Sequence, residues 1–336
     1  MIIDTKVHAR AGLLGNPSDM YGGKVMSFLI GDFSARVRLW ESPRLTFRMH
    51  PEHDRVEFED LADLVTAVDR HGYYGMQRLL LATCRRFADY SARRGIKLRK
   101  ARFTLEYETN IPRQSGLGGS SAMIIAALRA LLRFHHVPAR SVRNRDLAEL
   151  ALSVETQELG IAAGLQDRVV QSYGGLTYMD FSGGRAKYTK LSSRWLPQFG
   201  IAYLAEQHFG TLESGRVHSE VRYRWEQGDP GVRRRIRAVA RCAERGRQAL
   251  QARNVRLLSR LMDRNFDLRR ELFGDEALGA HNLALVDIAR RAGLAAKLPG
   301  SSGAVLILLG DDAKGNASLA QAYAEQGYHY LPITAI

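Results

Sequence analysis

The sequence predicts a two-lobe α+β fold, on the strength of three observations. The chain has 336 residues, too many for one small core, and chains of this size divide into lobes. Its first hundred residues alternate apolar and polar positions with the period of half-buried antiparallel strands. After Pro112 the period changes to that of helices, punctuated by glycine-rich turns. Hydrophobic residues at 45% and charged residues at 25% fit a soluble globular enzyme and not a disordered chain.

The apolar run at 24–30 predicts a strand that ends in a hairpin-like break at Gly31-Asp32. Ala35, Val37 and Leu39 continue the alternation, as do Leu45, Phe47 and Met49. A helix is predicted over 61–94, its apolar stripe carrying Tyr74, Leu79, Leu80 and Phe87. Phe103, Leu105 and Tyr107 restore strand alternation. A Gly/Ser cluster at 116–121 then opens a helix over 122–134, where Ile124, Ile125, Leu128, Leu131 and Leu132 recur at helical spacing. Further helices are predicted over 146–159, stopped by Gly160, and from Gln166 to just before Gly174-Gly175. The lobe boundary is placed near Ser182-Gly183-Gly184, so that 1–182 form the N-terminal lobe and 183–336 the C-terminal lobe. Beyond it come a strand at 201–205, long Arg-rich helices over 232–273, a helix at 282–292 and a strand at 304–309, entered from Gly300-Ser301-Ser302-Gly303.

Lys plus Arg number 49 against 35 Asp plus Glu, a formal charge of +14. Such a field attracts polyanions or small anionic substrates. Much of the excess lies between Arg233 and Arg260, a stretch without a single aromatic residue. Lacking stacking platforms or a zinc-finger or RNP motif, it reads as a solvated helix face and not as a nucleic-acid surface. No apolar stretch approaches the roughly 20 residues of a membrane helix. Asp4, Lys6, His8 and Arg10 leave no apolar signal core, and Cys84 and Cys242 have neither disulfide-framework nor metal spacing. These features predict a cytoplasmic chain with no membrane partner.

The strongest local signal is PRQSGLGGSSA at 112–122. Glycines let backbone N–H groups approach an anion, and the helix that follows directs its N-terminus at the same place. Serine hydroxyls there can ligate Mg²⁺ or a phosphate oxygen. The loop has no lysine before its serines, so it is not a Walker A motif, and Ser121 stands where the protein-kinase GxGxxG requires glycine.

This loop resembles the phosphate-binding motif PxxxGLxSSA of the GHMP kinase superfamily, with one residue more. Two other motifs follow the order of that family. Residues 10–19, RAGLLGNPSD, followed by Gly22-Gly23, resemble its N-terminal substrate motif. Residues 297–304, KLPGSSGA, resemble its C-terminal glycine motif, with Leu298-Pro299 where relatives carry Phe-Thr. The phrases GNPSDMYGGK, ELGIAAGLQDRVVQSYGGL, SGRVHSEVRYRW and NFDLRRELFGDEALGAHN are similar to the plant-type glucuronokinase branch, to which the extra loop residue also belongs. The resemblance spans nearly the whole chain. It implies a GHMP kinase fold, with a mixed or antiparallel-strand lobe followed by an α/β lobe, and ATP and Mg²⁺ as cofactors. The implied partner is a small-molecule sugar or sugar acid, with D-glucuronate phosphorylated at its anomeric hydroxyl. A neutral sugar such as galactose or arabinose is the alternative acceptor. A catalytically silent anion-binding member of the family is the other alternative; it would have lost Asp167 or the glycine loop, and both are present.

Site residues follow from the resemblance together with the chemistry. Asp167 is the expected proton acceptor, with Arg168 beside it to favour the ionised form. Arg10 is the expected transition-state cation, since a guanidinium fork suits phosphoryl charge. ATP is expected on Pro112, Gly116, Leu117, Gly118, Gly119, Ser120, Ser121, Ala122, Gly300 and Ser301. Asn16, Ser18 and Asp19 are expected on sugar hydroxyls. For the sugar carboxylate, Arg216 and Arg222 are preferred over Arg113, Arg168 and His218, because their phrase belongs to the glucuronokinase resemblance. Ser121 and Glu155 are the expected Mg²⁺ ligands, with Glu158 competing for the carboxylate role.

Overall fold

Two long strands, β1 (Ile2–Leu14) and β2 (Lys24–Glu41), organise the first sheet by pairing antiparallel along most of their length. The computed structural model describes residues 1–51, 54, 57–61, 63–64, 75–204, 214–310 and 313–336, with backbone only over 214–218 and 313–315. β1 alternates exposed and buried residues to Val7 and is then buried almost without interruption, because its second half is covered on both faces. The motif at 10–14, read from sequence for its chemistry, is thus the end of a core strand. No hairpin forms at Gly31-Asp32. β2 runs through, and the register jumps from Ala9↔Ile30 to His8↔Ser34, leaving a bulge. The bulge is stable because its groups find other partners: Gly31 N–H donates to the Thr334 carbonyl at 2.8 Å, and Asp32 Oδ2 accepts from Thr334 N at 2.7 Å.

β4 (Phe103–Thr109) lies antiparallel beside β2, and β3 (Thr46–Phe47) is parallel to β4. Only these two residues of the alternation at 45–49 are in a strand. On the other side of β2 lie β5 (Leu176–Asp180) and β6 (Lys187–Leu191), giving the order β3-β4-β2-β5-β6. The boundary expected at 182 therefore falls inside a hairpin of this sheet, which continues to Leu191.

Helices cover the sheet. The predicted helix at 61–94 is observed as α1 (Gln77–Arg93); Tyr74, with 62 and 65–73, lies outside the described residues. α2 (Gly119–Phe134) is apolar on nearly every side and packs as a core helix on β1 and β2. Thr5 Oγ1 donates to the Ala126 carbonyl at 2.8 Å, tying β1 to it. α2 starts three residues before the predicted position because Gly118, at φ 75°, makes the left-handed entry that only glycine adopts readily. α3 (Asn144–Ser153) gives way to a π-helical turn at Val154–Glu158, and α4 (Gln166–Tyr173) follows.

The second sheet has the antiparallel order β10-β7-β9-β8, from β7 (Phe199–Leu204), β8 (Ala296–Lys297), β9 (Ala304–Leu308) and β10 (Tyr328–Ile333). Around it lie α5 (Ser214–Glu226), α6 (Pro230–Gln251), α7 (Val255–Leu278), α8 (Ala280–Arg291) and α9 (Ala313–Ala324). Asp229 caps α6 by accepting from Gly231 N and Val232 N, with Pro230 in the first turn. Val232, Ile236, Val239 and Ala243 form its buried stripe, while Arg233, Arg234, Arg237, Arg241 and Arg245 are exposed. Among the described residues, no helix is long and apolar enough to cross a membrane.

Buried polar contacts lock the end of β1 to the second lobe. Asn265 of α7 accepts from Gly15 N at 2.7 Å and donates to the Asn16 carbonyl at 3.2 Å. Lys297 Nζ, fully buried, donates to Gly12 O at 2.7 Å, Asn16 Oδ1 at 2.8 Å and Leu298 O at 2.7 Å. Asn265→Leu orphans two buried backbone groups and is expected to cost roughly 2–4 kcal/mol. Urea denaturation measures this, and a loss below about 1 kcal/mol would contradict the lock.

Candidate active site

A cleft of about 790 Å³ opens where the two lobes meet. One wall comes from β1 and its turn (Arg10, Asn16, Asp19, Met20), another from the glycine loop between Pro112 and Ser120. Glu155, Gln166, Asp167 and Arg168 line the floor, and Arg269 with residues 299–302 closes the far side. Met76, Leu79, Ile111, Leu159 and Ile161 add an apolar rim.

The two glycine turns touch backbone to backbone. A Cβ on Gly300 would stand 2.1 Å from the Gly116 carbonyl oxygen, so a side chain there would force the turns apart. The first N–H groups of α2 have no intrahelical acceptor, which leaves the loop a natural anion cradle.

The structure places Arg10 and Asp167 together. Arg10 Nε and Nη2 donate to Oδ1 and Oδ2 of Asp167 at 2.6 and 2.7 Å, a bidentate pair. Arg10 Nη1 donates to the Gly116 carbonyl and, at 3.3 Å, to that of Pro299. Burial alone would raise the Asp167 carboxyl, but the Arg10 guanidinium outweighs it and holds the group below the ordinary carboxylate range.

Asp19 is the opposite case. Among the described residues no cation pairs with it; the Gln166 N–H donates to its Oδ2 at 3.4 Å. A Cβ on Gly164 would lie 2.2 Å from that oxygen, so only glycine fits against the carboxylate. Burial, then the neighbouring Asp167, pushes its carboxyl up to about 7.

Glu155 reaches the cleft from the π-helical turn, a distortion frequent at functional positions. Its carboxylate pairs with Arg168 and accepts from Ser120 Oγ at 2.9 Å. Glu158 is exposed and lies off the cleft lining, which separates the two candidates. Ser121 does not stand beside Glu155: its hydroxyl donates to the Gly118 carbonyl at 3.1 Å inside α2. Ala122 is likewise buried in the helix body, away from the cleft lining. The hydroxyl–carboxylate pair that suits Mg²⁺ is thus Ser120 with Glu155, two hard oxygen donors that both line the cleft. Among the described residues no cluster of three or more His, Cys, Asp or Glu forms an all-protein metal cage.

Of the remaining expected substrate residues, Ser18 and Arg222 lie off the cleft lining, and Asn16 lies on it. Ser18 is fully buried and donates to the Lys24 carbonyl at 3.0 Å, so it shapes the turn and does not face the cleft. Asn16 lines the cleft; its Nδ2 donates to the Leu298 carbonyl at 3.2 Å and its Oδ1 accepts from Lys297 Nζ at 2.8 Å. Arg222 lies on α5 outside the cleft lining, its charge facing Tyr21. The side chains of Arg216 and His218 lie outside the described residues. Sequence reasoning missed Lys297, Asn265 and Arg269. Each lies within a phrase noted only for family likeness, and burial, the property that marks them out, has no local signature.

Residues 78–175 match the GHMP kinases N terminal domain and 247–329 the GHMP kinases C terminal. The sequence is 43% identical to Probable glucuronokinase 2 of Arabidopsis thaliana over 100% of this chain and 92% of that protein. It is 42% identical to Glucuronokinase 1 of the same plant over 98% and 91%. Among solved structures, Lactococcus lactis galactokinase complexed with galactose has a TM-score of 0.78 at 16% identity, covering 99% of this chain and 93% of that one. Methanococcus jannaschii mevalonate kinase has 0.73 at 19% identity, covering 100% and 98%. At such identities the structural likeness speaks to the fold alone.

The raised Asp19 carboxyl has a sign-definite consequence. Its ordinary value is 3.8, so between about 4 and 7 the folded chain keeps a proton that the unfolded chain releases. Folding then loses stability as pH rises through that window. Asp19→Asn cannot ionise and escapes the loss. The stability of the variant relative to the parent is expected to grow from pH 4 to 7 and level off above, measured by urea unfolding at each pH. A pH-independent difference would contradict this ionisation.

Proposed function

The chain belongs to the GHMP kinases, and from that membership we propose that it transfers the γ-phosphoryl group of ATP to the anomeric hydroxyl of D-glucuronate, giving glucuronate 1-phosphate and ADP. The observation that carries this reading is the 42–43% identity to two glucuronokinases across essentially the whole chain. The cleft supports it, with an anion cradle beside a carboxylate–guanidinium pair.

In this reading Asp167 accepts the proton of the sugar hydroxyl as its oxygen attacks the phosphoryl group. A carboxylate held low by Arg10 is a modest base. The anomeric hydroxyl is more acidic than an ordinary alcohol, and phosphoryl transfer depends mostly on position and charge, so modest basicity suffices. Arg10 fixes the orientation of Asp167 and places its own charge between the two glycine turns, where phosphoryl charge would develop. Asp19, unpaired, is suited to accept hydrogen bonds from sugar hydroxyls. The apolar rim of Met76, Leu79 and Ile111 suits the adenine ring. Ser120 and Glu155 would hold Mg²⁺, whose chemistry is to neutralise charge on the phosphates. Cys84 and Cys242 are free thiols, in keeping with the cytoplasm as the proposed compartment.

ADP release measured over a panel of sugars and sugar acids tests the substrate: glucuronate is expected to give the highest kcat/KM, and a preference for galactose, arabinose or glucose would refute the sugar-acid reading. Asp167→Asn is expected to lower kcat by roughly 10²- to 10⁴-fold with ATP affinity retained. Near-normal turnover in that variant would remove Asp167 from its role.

A further inference from the structure

We propose that Arg269 is the ligand-facing cation of the cleft, its guanidinium pairing with an anionic oxygen that arrives with the substrates: the carboxylate of the sugar acid or the phosphoryl group. The charges lining the cleft point to it. Arg10 is paired with Asp167, and Arg168 with Glu155. Arg78 and Arg113 have interactions of their own. Arg269 lines the cleft, is only 2% exposed, and has no carboxylate within ion-pair distance among the described residues.

Its present bonds do not exhaust it. Nη1 donates to the Gly300 carbonyl at 2.6 Å and Nη2 to the Ser301 carbonyl at 2.7 Å, the guanidinium lies over the Phe273 ring at 5.5 Å, and Nε has no acceptor among the described residues. A guanidinium carries five N–H donors in a fixed fork, so this one retains unused capacity. Burial pulls its pKa down to about 10, which still leaves it charged at neutral pH. A buried charge without a counter-ion is costly, and a bound anion would remove that cost.

Lys297 is the other buried cation of this seam without a carboxylate partner, but its three donors are all taken by Gly12, Asn16 and Leu298, and it lies off the cleft lining. Of these two, Arg269 is the one with an open donor. The sequence assigned carboxylate reading to Arg216 and Arg222; Arg269, in NFDLRRELFG, is the arginine the cleft presents for that task. With Asp19 unpaired on the opposite side of the charge balance, the cleft offers one acceptor for hydroxyls and one cation for an anion, the complement of a sugar acid.

This proposal rests on the kinase reading above, and its test keeps the two apart. Wild type, Arg269→Gln and Arg269→Lys are assayed for KM of ATP, KM of glucuronate and residual turnover of glucose, with thermal midpoints recorded. Gln retains a carbonyl-directed donor without charge; Lys retains charge without the fork. If the anion is the sugar carboxylate, Arg269→Gln raises KM for glucuronate about ten- to a hundredfold, several times more than it changes KM for ATP or glucose turnover, and Lys restores part of the loss. If it is the phosphoryl group, KM for ATP rises and kcat falls alike for every acceptor, again with partial rescue by Lys. Constants within twofold of wild type in Arg269→Gln would overturn the proposal. So would equal losses in both variants that follow the drop in thermal midpoint, which would leave Arg269 as a clamp on the glycine turn only. Should Arg269→Gln fail to fold, Arg269→Lys decides: a selective KM change supports the proposal and unchanged constants overturn it. If wild type itself prefers a neutral sugar, the substrate reading fails, while the ATP arm still tests Arg269.

Discussion

One guanidinium holds the cleft together. Arg10 leaves the core strand β1 and contacts Asp167 on α4, the Gly116 carbonyl of the glycine loop and the Pro299 carbonyl of the second lobe. Three segments far apart in sequence therefore meet on a single side chain. That side chain is placed by a strand buried on both faces, so it has little freedom to wander. Around it the close backbone contact of Gly116 with Gly300 excludes any larger residue, and Asn265 and Lys297 pin the turn that follows β1. The position of the site is thus a consequence of core packing and not of loop conformation.

The same cleft sends two aspartates in opposite directions. Asp167 has a guanidinium on both oxygens and is held towards ionisation; Asp19, without an ion-pair partner among the described residues, is pushed towards neutrality by burial and by the charge of Asp167 itself. Pairs of carboxyl groups driven apart in this way carry distinct tasks. An oriented carboxylate held low by a cation fits the proposed proton-accepting position, and a softer unpaired carboxyl fits reversible hydrogen bonding to hydroxyls. The positive side of the seam is equally uneven: Lys297 is saturated by carbonyl and amide oxygens, and Arg269 is not.

Much of the site was legible along the chain. The glycine loop and Asp167 lie in local patterns whose chemistry can be read from residue type, Arg10 and Glu155 are picked out by the family resemblance, and all of them border the cleft. The errors have physical causes. Ser121 and Ser120 are adjacent and alike, and only the phase of α2 decides which hydroxyl meets Glu155 and which folds back on Gly118. That phase depends on Gly118 starting the helix early. Ser18 was equally plausible on paper until the turn buried its hydroxyl on Lys24.

The sequence by itself determined the strands around Val37 and Phe103, the helix after the glycine loop, the two glycine turns, the solvated arginine face of α6 and the family to which the chain belongs, because each is written in periodicity, composition or a contiguous motif. The tertiary structure alone decided how Gly31-Asp32 is accommodated, since a bulge needs the C-terminal segment as partner 302 residues away from Asp32. It also decided that the first sheet continues to Leu191, that Asp19 is unpaired and that Arg269 is a buried cation without a counter-ion. Charge balance and desolvation are properties of what surrounds a residue in space, and a one-dimensional chain does not record its surroundings.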